Sequence, residues 1–171
     1  MKLVILNGSS CSGKSTILKN IMQQKDNYFQ LSYDSIKWLF ANYQSSKQYQ
    51  DVLKVLLSVA GTVLDLNYNI ITDSVLHDSY RQKLVALAKK ANYDVLEINL
   101  EAEFTVLSQR FDERVASALA TPNRRISNLS KDRFKELYDI FQQEKNTQAI
   151  TFRTDTHDID EVTKSVMNLL T

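Results

Sequence analysis

The chain has 171 residues, a formal net charge of +1, 43% hydrophobic and 24% charged residues, and a single cysteine. That length suffices for one domain with a real core, and the composition is globular rather than disordered. Near-neutral charge excludes a broad field for gripping long nucleic acid, and one cysteine excludes an internal disulfide framework and fits a reducing cytoplasm.

The apolar run Leu3-Val4-Ile5-Leu6 predicts a buried strand ending near Asn7. It is too short for the apolar region of a signal peptide, and no segment approaches the roughly 18 apolar residues that span a bilayer. The expectation is a cytoplasmic protein with no membrane partner. Directly after the strand, Gly8-Ser9-Ser10-Cys11-Ser12-Gly13-Lys14-Ser15 fits G-x-x-x-x-G-K-[ST], the phosphate-binding loop, at every fixed position. Two of the chain's three glycines sit where the motif requires them. Glycine lets successive N–H groups turn inward toward an anion, and the helix expected from about Lys14, opened by Thr16-Ile17-Leu18, adds its N-terminal N–H groups and dipole. Lys14 is placed to reach the β- and γ-phosphates of ATP, and the Ser15 hydroxyl to ligate Mg²⁺. An ordinary Gly/Ser turn would not need this spacing between a strand and a helix.

Helical spacing of Ile17, Leu18, Ile21 and Met22 carries the first helix to about Gln24. A second strand is expected over 28–32, ending at Tyr33-Asp34-Ser35, with a short helix over 36–43 and a polar loop over 44–50. Trp38, Leu39 and Phe40 read more readily as core than as an acceptor pocket, by roughly two to one. Residues 51–68 form a long helix buried on more than one side; Gly61 within it implies close packing against a neighbour. Asn69-Ile70-Ile71-Thr72-Asp73 is a third strand with an acidic end. A helix over 79–91, a strand over 93–100 and a helix over 101–118 follow. Residues 119–128 hold the only proline, Pro122, and adjacent Arg124 and Arg125, an expected excursion. A helix over 130–143, a strand over 149–152 and a last helix opened by the capping-box spacing of Asp158 to Glu161 complete the chain; Val162, Val166, Leu169 and Leu170 are its inward stripe.

Strands alternating with helices, several of them uninterrupted apolar runs, predict an α/β fold: a parallel sheet covered on both faces. Ligands of such sheets bind beyond the carboxyl ends of the strands. That rule selects the loop after strand one, Asp34, Asp73 and the turn at 153–156. Transfer of a phosphoryl group to an alcohol needs an orienting base, Mg²⁺ and positive charge over the migrating group. Asp34 is the candidate base, against the reading that it caps the next helix. Asp73 ends an apolar run as a Walker B carboxylate does, against a strand-end turn residue. Five of the seven arginines fall between 110 and 133, and Arg110 and Arg114, four apart, share one helix face that could close over the phosphates; a solvated face is the plain alternative. Lys37 is either a holder of an anionic acceptor group or a solvated lysine. Cys11 reads as small-residue filler, and His77 and His157 lack metal-ligand spacing.

The stretch Ile5 to Ser15, with Tyr33-Asp34-Ser35-Ile36, resembles the chloramphenicol phosphotransferase-like family of small P-loop kinases. Ile71-Thr72-Asp73 and Arg110 to Arg114 are shared with a wider group that includes polynucleotide 5′-kinases, zeta toxins, and shikimate and gluconate kinases. The resemblance implies a three-layer P-loop fold with sheet order 2-3-1-4-5, an acceptor region over 34–66 and a lid over about 110–133 within one domain, 1–171. It also implies Asp34 as base, Arg110 and Arg114 in the lid, and residues 153–156 near the adenine. Residues 119–128 are short for a lid, and the acceptor region lacks the arginine cluster that would hold a nucleoside monophosphate. The expected activity is an ATP- and Mg²⁺-dependent kinase acting on a hydroxyl of a small molecule. A kinase for nucleotide or polynucleotide 5′-hydroxyls and a non-catalytic ATP-binding module are the alternatives.

Overall fold

The computed structural model describes residues 1–73, 78–120 and 129–170. Residues 121–128 of the expected excursion, with Pro122, Arg124 and Arg125, and also His77, lie outside the described residues, while Leu119 ends a helix rather than opening the excursion. Five strands, β1 (Lys2–Asn7), β2 (Tyr28–Gln30), β3 (Asn69–Thr72), β4 (Asp94–Glu101) and β5 (Ile150–Arg153), form one sheet in the order β2-β3-β1-β4-β5. Every pairing is parallel, with Val4 opposite Ile71 on one side and Leu96 on the other. The helices are α1 (Lys14–Gln24), α2 (Tyr33–Lys37), α3 (Ser45–Asp65), α4 (Asp78–Lys90), α5 (Phe104–Leu119), α6 (Lys131–Glu144) and α7 (Ile159–Asn168).

The apolar runs are uninterrupted because alternate residues of each strand enter different layers. Leu3, Ile5 and Ile70 pack beneath α3 and α4 with Val52, Leu56, Ala60 and Leu84. Val4, Leu6, Ile71, Ile98 and Leu100 pack beneath α1 and α7 with Ile17, Ile21, Val162 and Val166. Most of these side chains are fully buried, each contributing roughly 1.5–3 kcal/mol relative to exposure. A third cluster, Ala102, Leu107, Phe111 and Phe134, ties α5 to α6, with the Phe111 and Phe134 rings stacked at 4.7 Å.

Several local expectations are corrected. α3 begins at Ser45, not near Asp51: its polar opening turns face solvent, and the Gln44 N–H donates to Gln48 Oε1 at 2.7 Å. The short helix runs over Tyr33–Lys37 rather than 36–43, because β2 stops at Gln30 and extended Ser32 leads straight into it. Asp34 therefore sits in the first turn of a helix, where a carboxylate complements the dipole, and not at a strand end. Trp38 and Leu39 are 46% and 79% exposed and are not core, whereas Phe40 packs on the α3–α4 layer. Gly61 has open space where a Cβ would stand, so close packing does not explain it. The last helix starts as expected, with the Asp158 carboxylate accepting from the Asp160 N–H and Val162 and Val166 buried, but it ends at Asn168, so Leu169 and Leu170 follow the helix rather than belong to its stripe. Among the described residues, no helix is long and apolar enough to cross a membrane.

Candidate active site

All five strands run the same way, so their carboxyl ends converge on one edge. There β1 hands over to α1 through Gly8 to Gly13. Gly8 has φ +152° and Gly13 φ +93°, and a Cβ on Gly8 would come within 2.5 Å of both the Leu100 carbonyl oxygen and Ser12 Oγ. Only glycine fits that close approach. Cys11, at φ +65°, completes a loop that turns repeatedly through left-handed backbone. Lys14 and Ser15 open α1, so their N–H groups have no intrahelical carbonyl to reach.

Within this cradle Ser9 Oγ and Ser12 Oγ are buried without a hydrogen-bond partner among the described residues. Buried hydroxyls left unpaired cost roughly 1–3 kcal/mol each, and a phosphate is a suitable acceptor for them. Lys14 is buried, and its Nζ donates to the Gly8 and Ser9 carbonyls at 2.7 Å each. Burial pushes the Lys14 ammonium down to about 8, with Asp73, Cys11 and Asp34 opposing that fall and Arg114 adding to it. The loop thus holds a partly destabilised cation beneath an anion-shaped recess.

The cleft above the loop has a volume of about 590 Å³. Ser10 to Thr16 form its floor, and Asp34, Asp73, Arg110 and Arg114 enter from the sides. Asp34, Asp73, Arg110 and Arg114 thus meet at the loop, whereas residues 153–156 do not line this cleft. Ser15 Oγ donates to Asp73 Oδ2 at 3.0 Å, which joins the head of α1 to the end of β3. A hydroxyl and a carboxylate are hard oxygen donors of the kind Mg²⁺ takes, and Mg²⁺ sites commonly use one or two protein oxygens beside phosphate and water. Among the described residues no group of three His, Cys, Asp or Glu side chains forms a dedicated metal cage.

Asp34 is paired with Lys37 Nζ at 2.6 Å, and its side chain remains 71% exposed. Lys37 is less exposed, with its ammonium 5.0 Å from the Trp38 ring centroid and 5.8 Å from that of Tyr33. The Lys37 cation is engaged by the candidate base and two rings.

The two arginines differ. Arg110 donates to the Thr154 carbonyl at 2.6 Å, to Thr154 Oγ1 at 3.1 Å and to the Cys11 carbonyl at 3.4 Å. It clamps α5, the phosphate loop and the turn after β5. Arg114 lines the cleft near Lys14 and, among the described residues, has no hydrogen-bond or ion-pair partner. The turn after β5 is itself braced. Arg153 bonds Asp155 at 2.6 and 3.0 Å and Glu103 at 2.8 Å, and the Glu103 N–H donates to Asp155. Beside it the first residue of α7 backs the loop, since a Cβ on Gly13 would meet Ile159 Cδ1 at 2.7 Å.

Sequence reasoning missed Ser32 and Tyr33 in the cleft wall, and Thr154 as the partner of Arg110. Thr154 lay within the selected turn, but nothing in its spacing announced its partner.

A parallel sheet in this order, with a glycine-framed phosphate loop after its central strand, is the P-loop NTPase fold, in the form found in small kinases. Residues 3–142 match the AAA domain family, and the chain belongs to it. The fold is shared with Mycobacterium tuberculosis APS kinase CysC in complex with AMPPNP and APS, at 17% identity and TM-score 0.66, over 99% of this chain and 96% of that one. A gluconokinase from Sinorhizobium meliloti 1021 aligns at 16% identity and TM-score 0.64, over 95% and 87%. A chain of the Pnkp1/Rnl/Hen1 RNA repair complex aligns at 21% identity and TM-score 0.68, over 84% of this chain and 45% of that one. At these identities the likeness is one of fold. No curated protein matches the chain.

Proposed function

We propose that the chain is an ATP-dependent phosphotransferase that moves the γ-phosphoryl group of ATP to a hydroxyl of a small molecule. What chiefly supports this is that Asp34, from the first turn of α2, and Asp73, from the end of β3, enter one cleft above the loop that suits a triphosphate. One carboxylate has a hydroxyl partner at the head of α1 and the other does not, which separates a metal-holding role from a proton-accepting one.

In this reading the loop N–H groups, Ser9 and Ser12 bind the phosphates, and Lys14 neutralises charge between them. Ser15 and Asp73 would hold Mg²⁺, which supplies positive charge to the β- and γ-phosphate oxygens. Asp34 accepts the proton of the acceptor hydroxyl as its oxygen bonds to the γ-phosphorus. The bond from that phosphorus to the bridging oxygen breaks, and its electron pair stays on ADP. Arg114 faces the transferred group, while Arg110 is a positioning residue that fixes the loop against the turn after β5.

Titration of the full chain with ATP, with and without Mg²⁺, tests the reading together with phosphoryl transfer to a panel of hydroxylated metabolites, nucleosides and antibiotics. Micromolar Mg²⁺-dependent affinity, lost in Lys14→Ala, and transfer to a small acceptor are expected. No affinity for any nucleoside triphosphate overturns the reading. Steeply salt-dependent binding of an oligonucleotide that is also phosphorylated would move the acceptor to nucleic acid.

A further inference from the structure

Trp38 is the chain's only tryptophan, and it stands 46% exposed just past the end of α2. The core layer that takes Phe40 leaves it out, yet its ring is in use. The Lys37 ammonium lies 5.0 Å from the Trp38 ring centroid and 5.8 Å from that of Tyr33, within the range of a cation–π contact. The same ammonium bonds Asp34 Oδ1 at 2.6 Å. Three side chains thus fix one lysine, and one of the three is the candidate base.

The exposures are the reverse of an ordinary surface pair. The Lys37 side chain is 21% exposed, whereas that of Asp34 is 71% exposed and lines the cleft. A lysine on a helix surface normally keeps its ammonium in water, and an exposed ion pair contributes little because two mobile side chains must be ordered to form it. Here the long, flexible member is the one that is held. The rings of Tyr33 and Trp38 order the lysine, so pairing with Asp34 costs it little further rotamer freedom.

Asp34 gains what an exposed carboxylate lacks. Left alone it would turn about its side-chain bonds, and a base aimed away from the acceptor does not catalyse. With the ammonium on Oδ1, the carboxylate is held, and its second oxygen can take the acceptor's proton. Lys37 does not itself line the cleft, so its effect there runs through Asp34.

Resting on the kinase reading above, we propose that Lys37 and Trp38 are positioning residues for the base: the Trp38 ring holds the Lys37 ammonium, and the ammonium holds Asp34 toward the acceptor hydroxyl. The exposed tryptophan then has a task that neither core packing nor an acceptor pocket gives it.

Two readouts test this. Because Trp38 is the only tryptophan, its fluorescence reports the nearby ammonium with no acceptor present. Asp34→Asn unpairs that cation beside the ring, so quenching of Trp38 by iodide at constant ionic strength should rise about twofold. In Asp34→Asn/Lys37→Met the rise should vanish. The second readout is transfer from Mg²⁺–ATP to glucose, glycerol, gluconate and thymidine. On any member that is phosphorylated, Lys37→Met should lower kcat about tenfold and Trp38→Leu about threefold, with the KM values for ATP and acceptor within about twofold. Lys37→Arg should stay within about threefold of the parent, since a guanidinium also pairs with carboxylates and stacks on rings. Added to Asp34→Asn, Lys37→Met should lower kcat no further.

Unchanged iodide quenching in Asp34→Asn, or an unchanged kcat in Lys37→Met or Trp38→Leu, overturns the inference. A raised acceptor KM with kcat held overturns it as well, by making Lys37 a contact to the acceptor. So does failure of the parent to phosphorylate any of the four. If Mg²⁺–ATP affinity persists in those cases, the kinase reading stands; if it is absent, both fail.

Discussion

The Arg110 guanidinium donates to both the carbonyl and the hydroxyl of Thr154, a residue 44 positions away on the turn after β5. A guanidinium so placed organises protein before it touches any ligand. Arg110→Ala should lower stability by about 1–3 kcal/mol, because the carbonyl and hydroxyl it serves lose a charged donor. ATP affinity should fall with it, since the Cys11 end of the clamp lies in the phosphate loop. Arg110→Lys should restore little, as one ammonium cannot span the same fork of acceptors. Denaturant melts and ATP titrations on the two variants decide this; full recovery by lysine would show that charge alone matters.

The bond from Ser15 to Asp73 carries a separate expectation. Asp73→Asn and Ser15→Ala should each reduce the Mg²⁺-dependent part of activity by about 10- to 100-fold, while ATP measured in EDTA binds nearly as before. Equal losses with and without the metal would remove both residues from the metal-holding role.

Asp34 bears on turnover rather than on grip. Asp34→Asn should lower kcat by about 10²- to 10⁴-fold while the affinity for ATP persists. Activity within a few-fold of the parent would end its assignment as base.

Acid should loosen the turn after β5. The side-chain bond from Arg153 leads the causes that push the Asp155 carboxyl down to about 2 from its ordinary 3.8, against the opposing effect of burial. Because the folded value lies below the unfolded one, the stabilisation is fully present above about pH 4. It is lost as pH falls through 3.8 toward 2. Asp155→Asn should therefore show a shallower loss of melting temperature over that window than the parent chain. Parallel curves would show that the carboxylate contributes nothing to acid sensitivity.

Gly61 gives a prediction of the opposite sign. A Cβ there meets nothing within 4 Å, so Gly61→Ala should raise stability by about 0.5–1 kcal/mol through helix propensity. A fall in melting temperature would mean that this position in α3 needs glycine for a reason other than space.

Much of this was legible in the chain because the phosphate loop ties residue types to backbone shape. Gly8, Gly13, Lys14 and Ser15 fix where β1 stops and α1 starts, and the apolar runs fix which strands are buried on both faces. Asp73 was readable for the same reason, as the end of such a run. Trp38 and Leu39 were not, because the same apolar letters serve a core and an exposed turn. The opening of α3 was hidden by Ser45 to Gln50, a polar stretch that looks like a loop until a neighbour such as Tyr33 draws Tyr49 inward. Arg110 lines the cleft, but its partners could not be read from the chain. Nothing local links it to Thr154, just as nothing local links Glu103 to Asp155.

Ile159 leans on Gly13 from behind, and Lys2 reaches across to the Leu169 carbonyl at 2.9 Å. The final helix is thereby a backstop for a pocket assembled from the first fifteen positions. Trimming Ile159 would slacken the recess without touching any group that meets nucleotide. A tag, a protease cut or a binding protein that shifted α7 would register as altered triphosphate affinity, although it touched no residue that lines the cleft.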